Sequence, residues 1–235
     1  MAGTDIKIKS SEGGEFDCYL ATPESSSGPA VIVVAAVNGV SQDIRDLTDD
    51  LAAKGYVAAA PDMFWRTDPG YIERTEEGQK RIRARSQPRA EVIETGVRDI
   101  ADMRDFLKAR TECNGKVAAI GFCYGGPYAI LGPTRLGLDA GGSYHGTNFG
   151  DYADEMRKTT TPVLVHWGDE DHAAPPEVLD LYRGIDAEMD NLELHIFPGI
   201  KHGYMMASAE PYDADAFNYS WDSTLKMLDG LKNGA

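Results

Sequence analysis

Six short, largely apolar runs punctuate the chain: "AVIVVAAV" (30–37), "VAAAPDM" (57–63), "KVAAIGF" (116–122), "AGGSYHG" (140–146), "PVLVHWG" (162–168) and "LELHIFP" (192–198). Short, largely apolar runs suit the buried strands of a parallel sheet, and such strands need crossover helices between them. Helical spacing appears where those crossovers belong. "SQDIRDLTDDLAAKGY" (41–56) reads as a helix ending at Gly55, and "PPEVLDLYRGI" (175–185) as another. In the segment 89–110, Val92, Val97, Ile100, Met103, Phe106 and Leu107 form an apolar stripe expected to face the core. The tail 216–233 reads as a closing amphipathic helix and the polar-apolar alternation of the first twenty residues as strands. The pattern predicts an α/β fold with a mostly parallel central sheet flanked by helices. No repeat, low-complexity tract or linker interrupts it, so a single domain over 1–235 is expected.

Charge and cysteine usage exclude several functions. A formal net charge of -15 is opposite to the basic stripe that phosphate contact demands, so no nucleic-acid partner is expected. No apolar stretch is long enough to predict a membrane span. The three cysteines, Cys18, Cys113 and Cys123, are odd in number and lack metal-type spacing, which predicts free thiols, a cytoplasmic protein, and neither metal nor cofactor.

One cysteine stands apart. Gly121-Phe122-Cys123-Tyr124-Gly125 has the form G-x-nucleophile-x-G, directly after a predicted strand and before the helical stretch 127–133. In a sharp strand-to-helix turn, flanking glycines let neighbouring backbones approach while the nucleophile projects clear of the sheet. A helix N-terminus beside the sulfur favours its thiolate, and the Tyr124 N–H is placed to receive an oxyanion. In α/β-hydrolases the acid follows a late strand and the histidine the last one. Asp171 and His202 fill those slots, which predicts a Cys123–Asp171–His202 triad. Asp169 is the alternative acid, with the unused carboxylate of the pair expected to cap the helix near Pro175. The second oxyanion donor is expected from the backbone at Val37. Of the remaining histidines, His166 and His195 are expected to be satisfied within strands and His172 to be a loop residue, while His145, after a strand, is a candidate for the pocket lining.

These blocks, together with "GYVAAAPDMFWR" (55–66), "HWGDEDHAAPP" (166–176) and "FPGIKHGY" (197–204), resemble the dienelactone hydrolase family over nearly the whole chain. The resemblance implies an α/β-hydrolase with Cys123 as nucleophile, Asp171 as acid and His202 as base, hydrolysing a small ester or lactone through a thioester. It also implies two departures. Ala36 stands where the family carries a glutamate beside the nucleophile, so Cys123 is expected to rest already paired with His202. Arg81 matches one carboxylate-binding arginine of the family, but Met206 occupies the place of another; Arg81, Arg83 and Arg85 otherwise read as a solvated helical face. Ala36, Asn38, Trp65, Arg81, Tyr144, His145 and Met206 are the expected substrate-binding residues, with Phe64, Tyr204 and Met205 beside the mouth. A monomer or weak homo-oligomer is expected. The competing reading is a thiol-reactive binding or redox-sensing protein on the same scaffold, which has no need of Asp171 and His202.

Overall fold

The computed structural model describes residues 2–24 and 27–232. Met1 and Asn233, at the edges of the expected first strand and last helix, lie outside the described residues. Eight strands and seven helices alternate among the described residues in an α/β arrangement with mostly parallel pairing. The chain divides into two compact units, Met1–Val117 and Ala118–Ala235.

In the first unit, β1 (Thr4–Lys9) and β2 (Glu15–Ala21) form an antiparallel pair, β2 continues antiparallel onto β4 (Val57–Pro61), and β4 runs parallel to β3 (Gly28–Val34). Every residue of β3 and β4 is buried, as their unbroken apolar character requires. Helix α1 (Gln42–Ala53) begins at Ser41, whose hydroxyl accepts from the Ile44 N–H, and buries Ile44, Leu47 and Leu51. Helix α3 (Arg89–Lys108) buries Val97, Ile100, Met103 and Leu107 as the stripe predicts, but Ile93 takes the core position and Val92 is only half-buried. Asp99 also lies in that face, its carboxylate held by the Trp65 indole N–H at 3.1 Å and the Arg66 guanidinium at 2.5 Å.

Helix α2 (Glu76–Arg85) corrects the expectation of a uniformly solvated arginine face. Arg81 and Arg83 are exposed, whereas Arg85 is 2% exposed. Its guanidinium lies over the Phe64 ring and donates to the carbonyls of Val37, Asp68 and Gly70 at 2.5–3.1 Å. A buried charge is tolerable only when such bonds replace its hydration.

Strand β5 (Cys113–Phe122) leads into the second unit, where β6 (Ala140–Tyr144), β7 (Val163–Gly168) and β8 (Leu192–Phe197) add in parallel order. Helix α4 (Gly126–Leu136) accepts Pro127 in its first turn, where the missing N–H has no intrahelical partner to lose, and ends on the left-handed Gly137. Phe149, Trp167 and Tyr182 interlock edge to face, with ring centroids 4.9–5.4 Å apart, against α5 (Ala153–Met156) and α6 (Pro176–Glu188). Helix α7 (Ala214–Lys232) packs on β6 and β7. No helix among the described residues is long and apolar enough to cross a membrane.

Arg85 and Arg81 sit four residues apart on one helix in opposite settings. Urea unfolding of Arg85→Ala is expected to show a loss of about 3 kcal/mol, because several charge-assisted bonds to buried carbonyls go unmade. Arg81→Ala is expected to leave the midpoint unchanged.

Candidate active site

Cys123 follows β5 and opens a single 3-10 turn, Cys123–Gly125, that runs into α4. Its φ is 52°, in the left-handed region that side chains seldom adopt. The glycines explain how the chain manages the turn. A Cβ at Gly121 would stand 2.1 Å from the Gly125 carbonyl oxygen, and one at Gly126 would stand 2.6 Å from Ser143 Oγ and 2.7 Å from Gly146 Cα. The Thr147 N–H donates to the Cys123 carbonyl at 3.2 Å and ties the turn to the loop after β6. Cys123 is half-buried, whereas Cys18 is sealed inside and burial pushes its thiol far above the ordinary range.

Asp171 and His202 come from the loops after β7 and β8, and a close backbone approach joins those loops. A Cβ at Gly168 would overlap the Ile200 carbonyl oxygen at 1.8 Å, so only glycine permits the contact. The Glu170 N–H then donates to Ile200 O at 3.1 Å. The fully buried Asp171 carboxylate accepts from His202 Nδ1, at 2.8 Å to Oδ1 and 3.0 Å to Oδ2, and also from the Ala173 N–H at 2.8 Å. Of the two aspartates, Asp171 is the one whose carboxylate meets His202. Asp169 caps no helix; its Oδ1 accepts from the Gly199 N–H at 2.6 Å and pins the histidine loop.

With Nδ1 on Asp171, Nε2 of His202 is left for the Cys123 sulfur, to which the ring is hydrogen bonded. Burial lowers the imidazolium's pKa, but the hydrogen bonds to Asp171 and Cys123 and the charges of both outweigh it and push it up to about 10. Two further imidazoles flank the ring. His145, 1% exposed and itself at φ 41°, packs against it at 4.9 Å and 73°, while the exposed His172 lies 4.7 Å away at 54°. The mostly exposed His172 is indeed a loop residue, yet one in contact with the histidine that Asp171 holds.

A polar spine on α7 supports this side of the site and was not legible in the sequence. Ser220 Oγ meets Tyr204 OH at 2.9 Å and His166 Nδ1 at 3.0 Å, and Thr224 Oγ1 accepts from the Tyr144 hydroxyl while donating to Ser220 O. The i, i+4 spacing of Ser220 and Thr224 is the signal that was available.

The other expected site residues fall as follows. Tyr144 is fully buried with its hydroxyl on Thr224, and Met206 is half-buried beyond the buried Tyr204 and Met205. In the first unit, Ala36 and Val37 are half-buried, and the Val37 carbonyl is held by Arg85. Asn38 is buried, donating to Ile72 O and accepting from Arg74. Trp65 is engaged with Asp99 and stacked on Phe16, and Arg81 pairs with Asp68 through two bonds of 2.7–2.8 Å. Arg85, read from the sequence as solvent-facing, is the buried residue that holds the Val37 carbonyl.

The sequence profile of the dienelactone hydrolase family matches residues 16–231. The carboxymethylenebutenolidase 1 of Cupriavidus pinatubonensis is 28% identical over 233 residues, covering 99% of this chain and 99% of its own length. The carboxymethylenebutenolidase of Pseudomonas putida is 25% identical with the same coverage of both chains. Among solved structures, a dienelactone hydrolase-like promiscuous phosphotriesterase from metagenomic libraries superposes with a TM-score of 0.79 at 23% identity, covering 99% of this chain and 100% of that one. The dienelactone hydrolase of Anabaena variabilis superposes with a TM-score of 0.71 at 16% identity, again over 99% and 100% of the two chains. These last two likenesses concern the fold. Profile, relatives and fold agree along the length of the sequence: the chain belongs to the dienelactone hydrolase family and is a hydrolase of α/β-hydrolase architecture.

Proposed function

We propose that the protein hydrolyses small carboxylic esters or lactones by covalent catalysis at Cys123, as one catalytic domain and without a cofactor. The observation that carries this reading is the continuous hydrogen-bonded series from the Asp171 carboxylate through His202 to the Cys123 sulfur. In the resting state Cys123 is a thiolate paired with the His202 imidazolium, and Ala36 supplies no competing carboxylate. The sulfur attacks the acyl carbon, and the Tyr124 N–H, with Val37 N–H as the second donor, receives the oxyanion. Collapse breaks the acyl–oxygen bond, and the departing alkoxide takes the Nε2 proton of His202. A water then gives a proton to Nε2 as its oxygen attacks the thioester, and the thiolate leaves as the acid product forms. Asp171 keeps the ring aligned and offsets its charge throughout.

The substrate side of the proposal is a neutral or weakly anionic acyl compound. Arg81 is already paired with Asp68, and Met206 offers no charge. Carboxymethylenebutenolidase activity belongs to the named relatives, and an anionic lactone is one candidate here among several. The free thiols suit the reducing cytoplasm, with a monomer or weak homo-oligomer as the working form.

Turnover of a chromogenic short-chain ester tests the chemistry. Cys123→Ala and Asp171→Asn are each expected to lower kcat/KM by roughly three to four orders of magnitude with the fold intact by circular dichroism. A single stoichiometric burst without turnover in the wild type would instead support the thiol-sensor reading.

The pH profile tests the resting state. The groups facing His202 are Asp171, Cys123, His145 and His172. Because His202 is protonated well above its ordinary 6.5, the upper limb of kcat/KM is expected to move toward 10. The thiolate absorbance of Cys123 should already be present at neutral pH, and a titration near the ordinary thiol value of about 8.5 defeats the ion-pair assignment.

Paired neutral and anionic lactones test the substrate class. Arg81→Ala is expected to change both rates equally, within about twofold; a loss of about tenfold confined to the anionic series would restore a carboxylate-binding role.

A further inference from the structure

We propose that Asp171, His172 and His202 form a binding site for a divalent transition-metal ion of the zinc class, and that occupation of this site switches the catalytic histidine off. The inhibitory half of the proposal rests on the functional reading above, whereas the binding half rests on the donors alone.

One carboxylate oxygen of Asp171 and one ring nitrogen from each histidine lie within 4.8 Å of one another. Asp171 Oδ1 is 2.8 Å from His202 Nδ1 and 3.9 Å from His172 Nδ1. Ligands sharing one zinc ion at bonds of about 2.0–2.2 Å stand roughly 3–3.5 Å apart, so the triangle needs only a small opening on one side and a closing on the other. His172 can supply that movement, because its side chain is 79% exposed, while Asp171 is fixed by burial and by the Ala173 N–H. Two imidazoles and a carboxylate, with a fourth position open to water, are a donor set that zinc accepts and that magnesium or calcium does not favour. The exposed His172 also marks the side from which an ion enters.

The catalytic consequence follows from which nitrogen is used. For the ion to bind Nδ1, the imidazolium gives one proton to solvent and the bond from Nδ1 to Asp171 is replaced by two metal–ligand bonds. The remaining proton stays on Nε2. A ring held by metal at Nδ1 is no longer an imidazolium, and its remaining Nε2 proton is held more tightly than an imidazolium's, so protonation of the departing alkoxide fails and the thioester does not form. Cys123 is not one of the three groups whose donor atoms cluster, so the proposal makes it no ligand. This separates the proposed site from ordinary capture of metal by a reactive thiol.

The test uses the untagged full chain and Zn2+ alone, by isothermal titration calorimetry, on the wild type, His172→Ala and Cys123→Ser. A single ion is expected to bind the wild type and Cys123→Ser with similar affinity, and His172→Ala about tenfold or more weakly. In parallel, Zn2+ is expected to inhibit ester turnover reversibly on chelation, and His172→Ala to need at least about tenfold more Zn2+ for half-inhibition, measured against its own zinc-free rate. Binding that is lost in Cys123→Ser yet unchanged in His172→Ala assigns the ion to the thiol and overturns the proposal, as does an absence of binding to the wild type. Should the chain turn over no ester, the calorimetric comparison of wild type and His172→Ala still decides the metal site, while the failure falls on the proposed function.

Discussion

A left-handed residue at the end of β5 is the constraint on which the rest of the site depends. Holding Cys123 at φ 52° costs about 1–3 kcal/mol relative to an extended or helical backbone, and that conformation persists only where surrounding packing leaves no alternative. Gly121 removes the clash with the Gly125 carbonyl, Gly126 lets the loop after β6 come close, and the Thr147 N–H fixes the cysteine's own carbonyl. The outcome is chemical as well as geometric. The same bend that ends the strand starts a helix directly after the cysteine, whose N-terminal dipole favours negative charge beside it.

Features with a local cause were legible in the sequence. The apolar runs become strands because nothing else buries so continuous a stretch, and the glycine spacing around Cys123 admits few other conformations. The order of Cys123, Asp171 and His202 follows from which strand ends share one side of a parallel sheet. What stayed closed to inspection depends on partners distant in the chain. Asp169 and Asp171 lie two residues apart in one loop, and composition cannot separate them. The decision comes from Gly168 resting on Ile200, which turns one carboxylate toward Gly199 and the other toward His202.

Arg85 and the α7 spine illustrate the same limit from the polar side. An arginine in an arginine-rich helix and a serine–threonine pair in an amphipathic tail both read as solvent-facing, since most such residues are. Each is buried here because a particular set of acceptors or hydroxyls awaits it. Arg85 gathers three carbonyls, those of Val37, Asp68 and Gly70, and so ties the segment after β3 to the loop before α2. Ser220 joins Tyr204, two residues beyond the histidine, to His166 of β7. Burial pushes the Tyr144 and Tyr204 hydroxyls above their ordinary range, so neither adds a charge beside that network.

Charge at longer range bears on what the site can receive. A surface carrying a formal net charge of -15 repels anions beyond contact distance, although salt screens the effect over roughly 8–10 Å. Local arginines can overcome such a field only where their charge is unspent. Arg81 spends its charge on Asp68, Arg85 is turned inward on carbonyls, and Met206 contributes none. The hydrolase scaffold is thereby kept while neither Arg81 nor Arg85 holds its charge in reserve. The proposed preference for neutral or weakly anionic acyl compounds accords with those spent charges, and apolar contact would then discriminate among them by about 1–3 kcal/mol per methylene.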